Sequence, residues 1–413
     1  MKYSKLIVFI FVGLFIIEAF GVLGNSGLLN IANATYISAF IKYISIIIII
    51  SIAFKVKSKN DIPKTIRTWV FIWLTWNLFE IIRAVFLAAN YWDWKFLFLQ
   101  SIPFSLVVLV FYIGKNPHYV KLILKFSLRY ALPLGFFIIP FALGTQKQLY
   151  ARLMIFVSVL MLFIPYLKNK WKILIIIVAI ASIVVTPLFR TNLIKITFSV
   201  LILGVFYFSR IIGDKTIKKI HLLIFLLPVL LLILGALGKF NFFKDISQNQ
   251  DYAFYSGTVG VGQSREKSVN ADTRTFLFVE VLATMEKKNS WIIGQSAVGK
   301  YHTNFFNYMP IPGERSGTEV GILNILLYDG LIGVFIYSLL LFIVSRTAIC
   351  QSNNRLTKML GLLIASRWMT SFIAEFTKFD LNFFFFWLMI GLVSTSYFRN
   401  LSDNDIKEFF YDL

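Results

Sequence analysis

Five cations and three proton carriers are the side chains whose type and placement could do chemistry in this sequence. Arg152, Arg190, Lys195, Arg274 and Arg315 are the cations. A guanidinium stays charged and grips phosphate or carboxylate through a fork of N–H groups. Several such groups converging on one face would suit a pyrophosphate or an acidic sugar. His302, Glu314 and Glu319 follow one another in a late, polar stretch. Imidazole and carboxylate are the usual groups for taking or giving a proton. Plainer readings exist for each. An arginine can snorkel to headgroups or pair with Glu280 or Asp272, and a loop histidine can simply bond backbone. Where these residues lie decides how much the chemical reading is worth.

The elements that must position them are apolar. Of 413 residues, 58% are hydrophobic and only 15% charged. That excludes a soluble enzyme of ordinary composition and excludes disorder. A membrane helix needs about 20 mostly apolar residues. Twelve segments qualify: 6–23, 36–54, 67–89, 96–113, 126–143, 149–167, 172–189, 193–212, 220–237, 319–344, 357–374 and 381–398. The first reads as a span rather than a cleaved signal, because no small-residue cleavage site and soluble domain follow it.

Lysine and arginine set the orientation. With the N-terminus cytoplasmic, 23 of the 41 cations fall in the cytoplasmic connections and six in the short outer ones. Nine more lie in one long outer segment, 238–318, and Lys42, Arg83 and Arg367 lie inside spans. The net charge of +21 is therefore mostly topology and not a nucleic-acid signature. The expected fold is all-α: a polytopic membrane protein of about twelve transmembrane helices with one large outer loop containing short helices. Residues 1–237 carry spans one to nine, 238–318 the extracytoplasmic loop, 319–398 spans ten to twelve, and 399–413 a cytoplasmic tail. Arg152, Arg190 and Lys195 then stand on the outer face, where the charge rule disfavours them. His118 and His221 fall on the cytoplasmic side, and only His302 on the outer side.

Within the loop, 272–288 reads as a helix capped by Asp272, with Phe276, Val279, Leu282 and Ala283 on one face. Arg274 opens it against the helix dipole. Trp291-Ile292-Ile293-Gly294 and a small-residue turn to Gly299 follow. Within the spans, Glu80 and Arg83 are spaced to pair on one helix face, and Glu18 and Lys42 are expected to pair likewise. Arg367 has no evident partner, although Glu375 and Lys378 lie beyond it.

Several motifs fail. Gly294 to Gly299 is one residue too long for a nucleophile elbow. Gly260-Val261-Gly262 lacks the third glycine of a dinucleotide loop. The sequence holds no phosphate loop, no HExxH and no zinc-ligand spacing. The single cysteine, Cys350, excludes disulfides and CxxC sites.

The arrangement resembles the O-antigen and capsular polysaccharide polymerases, within the polymerase and ligase superfamily. The residues that carry the resemblance are Leu188-Phe189-Arg190-Thr191 and Asp272-Thr273-Arg274-Thr275-Phe276, running through Trp291-Ile292-Ile293-Gly294 to Gly299. Gly317-Thr318-Glu319-Val320-Gly321-Ile322-Leu323 then leads into Tyr328-Asp329-Gly330-Leu331-Ile332-Gly333. The likeness covers about 150 to 345. It implies a metal-independent glycosyltransferase, without cofactor, in the cytoplasmic (inner) membrane of a bacterium. Its substrate would be an undecaprenyl-pyrophosphate-linked oligosaccharide, handled amid membrane lipid beside a chain-length regulator and a flippase, with no nucleic acid. It assigns the pyrophosphate or glycan to Arg190 and Arg274 first, Arg152 second, with Lys195 and Arg315 near them. A base would be Glu319, His302 or Glu314. The related O-antigen ligase reaction uses the same donor, and a lipid-linked oligosaccharide flippase would also suit twelve spans.

Overall fold

The computed structural model describes residues 2–25, scattered positions between 40 and 51, 61–98, 106–143, 147–186, 190–208, 212–236, 275–303, 313–375, 380–411 and 413. The described chain is mostly helical. Its elements are α1 (Lys2–Asn25), α2 (Lys64–Leu87), α3 (Tyr91–Phe96), α4 (Val108–Lys115) and α5 (His118–Phe126). A π-helical turn, Ser127–Ala131, leads into α6 (Leu132–Phe137) and α7 (Ile139–Ala142). Next come α8 (Lys147–Met154), α9 (Val157–Met161), α10 (Asn169–Val185), α11 (Arg190–Tyr207) and α12 (Asp214–Ala236). The loop contributes α13 (Thr275–Lys287), β1 (Tyr301–His302) and β2 (Glu314–Arg315). The chain closes with α14 (Gly321–Cys350), α15 (Arg355–Ser371), α16 (Leu381–Ser394), α17 (Ser396–Asn400) and α18 (Asp403–Phe409).

Among the described residues, Lys64–Leu87, Asp214–Leu234 and Gly321–Cys350 are long and apolar enough to cross a membrane. Ile7–Leu23, Leu149–Met161, Thr191–Tyr207 and Leu381–Ser394 are shorter apolar stretches. The expected span 36–54 and part of 96–113 lie largely outside the described residues. Two expected spans are broken for local reasons. In 126–143, Pro133 cannot donate to the carbonyl four residues back, and the backbone widens to the π turn just before it. In 149–167, Ser158 Oγ donates to Ile155 O at 2.7 Å, and the chain turns there between α8 and α9.

The third break is the one that shapes the site. The apolar run 319–344 reads as one span, yet Gly330 sits at φ 66°, ψ −167° inside α14. The helix is therefore two pieces, Gly321–Asp329 and Leu331–Cys350. Every residue from Gly321 to Gly330 is buried. The break is filled by the loop turn that follows α13. Gln295 N donates to Leu327 O (2.8 Å), Leu331 N to Trp291 O (2.8 Å) and Ile332 N to Ile292 O (3.2 Å). These bonds satisfy groups that a helix end leaves open. Gly294, at φ 68°, and Gly330 pack backbone to backbone, and a Cβ on either would strike the other's segment.

The loop helix α13 forms, but its buried stripe is not the expected one. Leu277, Val281, Thr284 and Met285 face inward, whereas Val279 is 63% exposed and Ala283 is exposed. The expected cap Asp272 lies outside the described residues. At the core, Phe11 of α1, Phe156 and Phe385 of α16 pack together, the last two stacked at 5.3 Å.

The contacts also sort the two ends of the bundle. Lys358 pairs with Asp214 at 2.8 Å, Arg355 with Asp403 at 3.6 Å, and Trp171 Nε1 donates to Leu413 O at 2.6 Å. These residues all come from connections read as cytoplasmic. His221, from the same side, is buried, with Nε2 2.8 Å from Ser345 Oγ and its ring stacked on Phe342. It is a core histidine.

Candidate functional site

At the opposite end, one carboxylate gathers charged and polar partners from three helices. Glu375 follows α15 and is buried. Lys195 Nζ, from the first turns of α11, lies 2.8 Å from both of its oxygens. Arg367 Nη1, from α15, reaches it at 3.3 and 3.4 Å. Asn382 Nδ2 of α16 donates at 2.8 Å, and Thr370 Oγ1 at 3.3 Å. Lys195 and Arg367 are each 4% exposed. Buried charges of this kind hold together only when paired and hydrogen-bonded. Arg367, which the sequence left without a partner, therefore has one in Glu375. Its Nη2 and Asn382 Oδ1 remain buried with no partner among the described residues.

More charge lies close by. Asp380 caps α16, accepting from Phe383 N at 2.8 Å. Glu18 of α1 accepts from Leu381 N at 3.0 Å and lies within electrostatic reach of Asp380, Lys42 and Arg152. Lys42, the partner expected for Glu18, acts on it electrostatically, while the hydrogen bond comes from Leu381 N. The helix starts explain the convergence. Asn192 Nδ2 donates to Ser182 Oγ (2.6 Å) and ties the start of α11 to α10. Ser199 Oγ donates to Ser158 O (2.6 Å) and ties α11 to α9. Gly321 lets the first piece of α14 approach the Glu375 backbone, where a Cβ would have no room.

A second cluster forms in the loop. The strand pair β1–β2 is antiparallel, with Tyr301 opposite Arg315 and His302 opposite Glu314. Tyr301 is fully buried, and its hydroxyl is pushed up to about 12, mainly by burial. Arg315 beside it pulls the other way, and Glu280 and Glu319 add to the rise. The hydroxyl therefore keeps its proton at physiological pH. His302 is exposed, with its backbone N–H donated to Thr284 Oγ1 at 3.0 Å. Glu314 and Glu319 are half-buried. Lys300 Nζ bridges Asp93 at 2.6 Å and Glu314 at 3.8 Å, fastening the loop to α3. Burial pushes the Asp93 carboxyl up, but Lys300 and the N–H groups of Ala89 and Asn90 outweigh it and hold the group below the usual carboxylate range.

Between the clusters stands the turn at the α14 break. Arg83 Nη1 binds Glu80 at 2.7 and 2.8 Å, the pairing that the spacing predicted. The same guanidinium donates to Ile293 O (2.9 Å) and Gly294 O (3.4 Å). Buried Asp329, the last residue before the break, lies within reach of both Glu80 and Arg83.

The sequence-derived site residues thus divide. Lys195 joins the Glu375 cluster, and Arg152 lies within electrostatic reach of Glu18. Arg315 and Glu319 lie near Tyr301, and His302 and Glu314 form the next pair of the same two strands. Arg190 begins α11, but its side chain lies outside the described residues, as does all of Arg274. The sequence reading missed Glu375, Asn382 and Tyr301 as site residues. Thr318 and Asn324 were also missed; Thr318 N donates to Asn324 Oδ1 and Asn324 Nδ2 to Thr318 O (3.0 Å), fixing the entry to α14. No group of three or more His, Cys, Asp or Glu suited to a metal ion occurs among the described residues. Comparison with protein-family models, with curated proteins and with solved structures gives no match.

Proposed function

We propose that this chain is a polysaccharide polymerase of the bacterial cytoplasmic membrane. In this reading it crosses the membrane about twelve times and joins undecaprenyl-pyrophosphate-linked oligosaccharide units on the outer face. The observation that carries the reading is the gathering of Arg152, Lys195 and Arg367 at one end of the bundle, with one buried edge of Arg367 unspent. Cations held there offset the charge that develops on a departing pyrophosphate. The bond between the anomeric carbon and the phosphate oxygen breaks. An acceptor hydroxyl forms the new glycosidic bond, and its proton passes to Glu319, Glu314 or His302. Arg190 and Arg274 complete the grip on the pyrophosphate.

A flippase would carry charge along its spans. Within the apolar helices, the buried charges described above instead collect around Glu375 and around Glu80, which favours a fixed reaction site. The test is genetic and biochemical. Arg190→Ala and Arg274→Ala each abolish long-chain polymer, with activity down about 100-fold or more, while the protein still accumulates in the membrane. Normal chain-length ladders in both variants would sink the pyrophosphate grip. A ligase would instead transfer glycan to a lipid A-core acceptor in the same assay. Cysteine labelling from outside reaches position 302 and fails at 118 and 221; the reverse pattern inverts the topology.

A further inference from the structure

The turn Trp291–Gly294 belongs to a loop that the sequence assigns to the aqueous outer side, yet its backbone is finished as if no water were present. Four consecutive carbonyls are all taken. Trp291 O accepts from Leu331 N (2.8 Å), Ile292 O from Ile332 N (3.2 Å), and Ile293 O and Gly294 O from Arg83 (2.9 and 3.4 Å). An exposed turn in water has no need of such partners, because water supplies them. Irregular backbone at membrane depth does need them. The side chains point the same way. Ile292 is 67% exposed and Ile293 41% exposed, so neither is buried by the protein.

The surroundings are continuous with the outward apolar faces of two helices that are long enough to span. Leu331 and Phe335 of α14 are exposed beside the turn, and Phe79 and Ile82 of α2 are exposed on the flank of Arg83. The apolar face of α2 does not stop at the level of the turn. It continues through Val85, Phe86 and Leu87, all exposed, before the chain reaches Tyr91, Trp92 and Trp94. Lys95 lies 4.7 Å from the Trp92 ring centroid. Aromatic residues with a nearby cation mark the headgroup level of a membrane. Arg83 lies about 6 Å short of the α2 end, at 1.5 Å per residue. The turn that Arg83 holds is therefore beneath the aromatic level.

We propose that Trp291–Gly294 is a re-entrant wedge, with Ile292 and Ile293 in contact with lipid acyl chains. The chain runs along α13 outside the membrane, dips back at the turn and plugs the break in α14 from the lipid side. The inference rests on the reading that the chain crosses a membrane.

The test measures depth. Full-length protein carrying Cys350→Ser is spin-labelled at single cysteines and reconstituted into phosphatidylcholine–phosphatidylglycerol vesicles. Ile292→Cys is compared with Phe71→Cys on the middle of α2 and Lys287→Cys at the end of α13. The label at 292 collides with dissolved oxygen several-fold more than with a water-soluble nickel chelate, as the label at 71 does, and the label at 287 shows the opposite preference. If 292 behaves as 287 while 71 stays in lipid, the wedge is overturned and the membrane reading stands. If 71 also meets the nickel chelate, both fall together.

Discussion

Around Glu375, Lys195 and Arg367 spend their charge on one carboxylate, and all three are buried. Around Tyr301, Arg315, Glu280 and Glu319 surround a buried hydroxyl from half-buried positions, and His302 and Glu314 face outward. The two clusters use the same residue types, but only the first is deeply buried, with one edge of Arg367 left over. Removing a charge from a deeply buried cluster strands its partners in a medium that cannot solvate them. Removing one from the loop cluster lets water take its place. The difference teaches which variants lose stability along with activity and which lose activity alone.

The largest effect should come from Glu375→Ala, which leaves two buried cations unpaired and costs about 3–5 kcal/mol. Thermal unfolding in detergent, together with membrane accumulation, measures it. A loss no larger than that of a loop variant would mean that the cluster is wetter than its geometry implies. Gly330→Ala comes next. A Cβ at a left-handed φ, pressed against Ile292 O and Gly294 N, should cost about 1–3 kcal/mol. Its loss should appear first as faster proteolysis of the loop, since the turn is displaced before α14 unfolds.

The Asp93–Lys300 link sharpens the contrast through pH. The folded carboxyl lies below its ordinary value, so its stabilisation is present above about pH 3.9 and is lost as pH falls through the lower folded value. Proteolysis of the loop should therefore accelerate in strong acid. Lys300→Met should flatten that dependence, and an unchanged profile would remove Asp93 as its source. The smallest effect on stability belongs to His302→Gln, within about 0.5 kcal/mol, because the ring is exposed. If His302 is the base, polymer yield falls while the melting temperature holds. An equal fall in both would erase the distinction between the clusters.

How much of this the sequence disclosed follows from distance along the chain. Glu80 and Arg83 share one helix face, and three residues of spacing were enough to pair them. Lys195 and Glu375 lie 180 residues apart, and no local rule joins them. Hydrophobic periodicity located the loop helix but not its inward face, since Phe276, Phe278, Val279 and Leu282 offer several apolar stripes. The break at Gly330 was hidden for a similar reason. Leucine, isoleucine and glycine in 319–344 satisfy a hydropathy count whether or not the backbone is continuous. Lys195 stood out in the sequence by its placement, but its partner Glu375 did not.

The first piece of α14 links the two charged regions mechanically. Nine buried residues from Gly321 to Asp329 make a rod about 13 Å long. One end abuts Glu375, and the other meets the turn held by Arg83. A packed helix of that length moves as a unit, because its neighbours leave no slack for bending. The same short rod thus touches both the loop turn and the Lys195–Glu375–Arg367 network. Two regions far apart in sequence are therefore joined by nine residues of one helix.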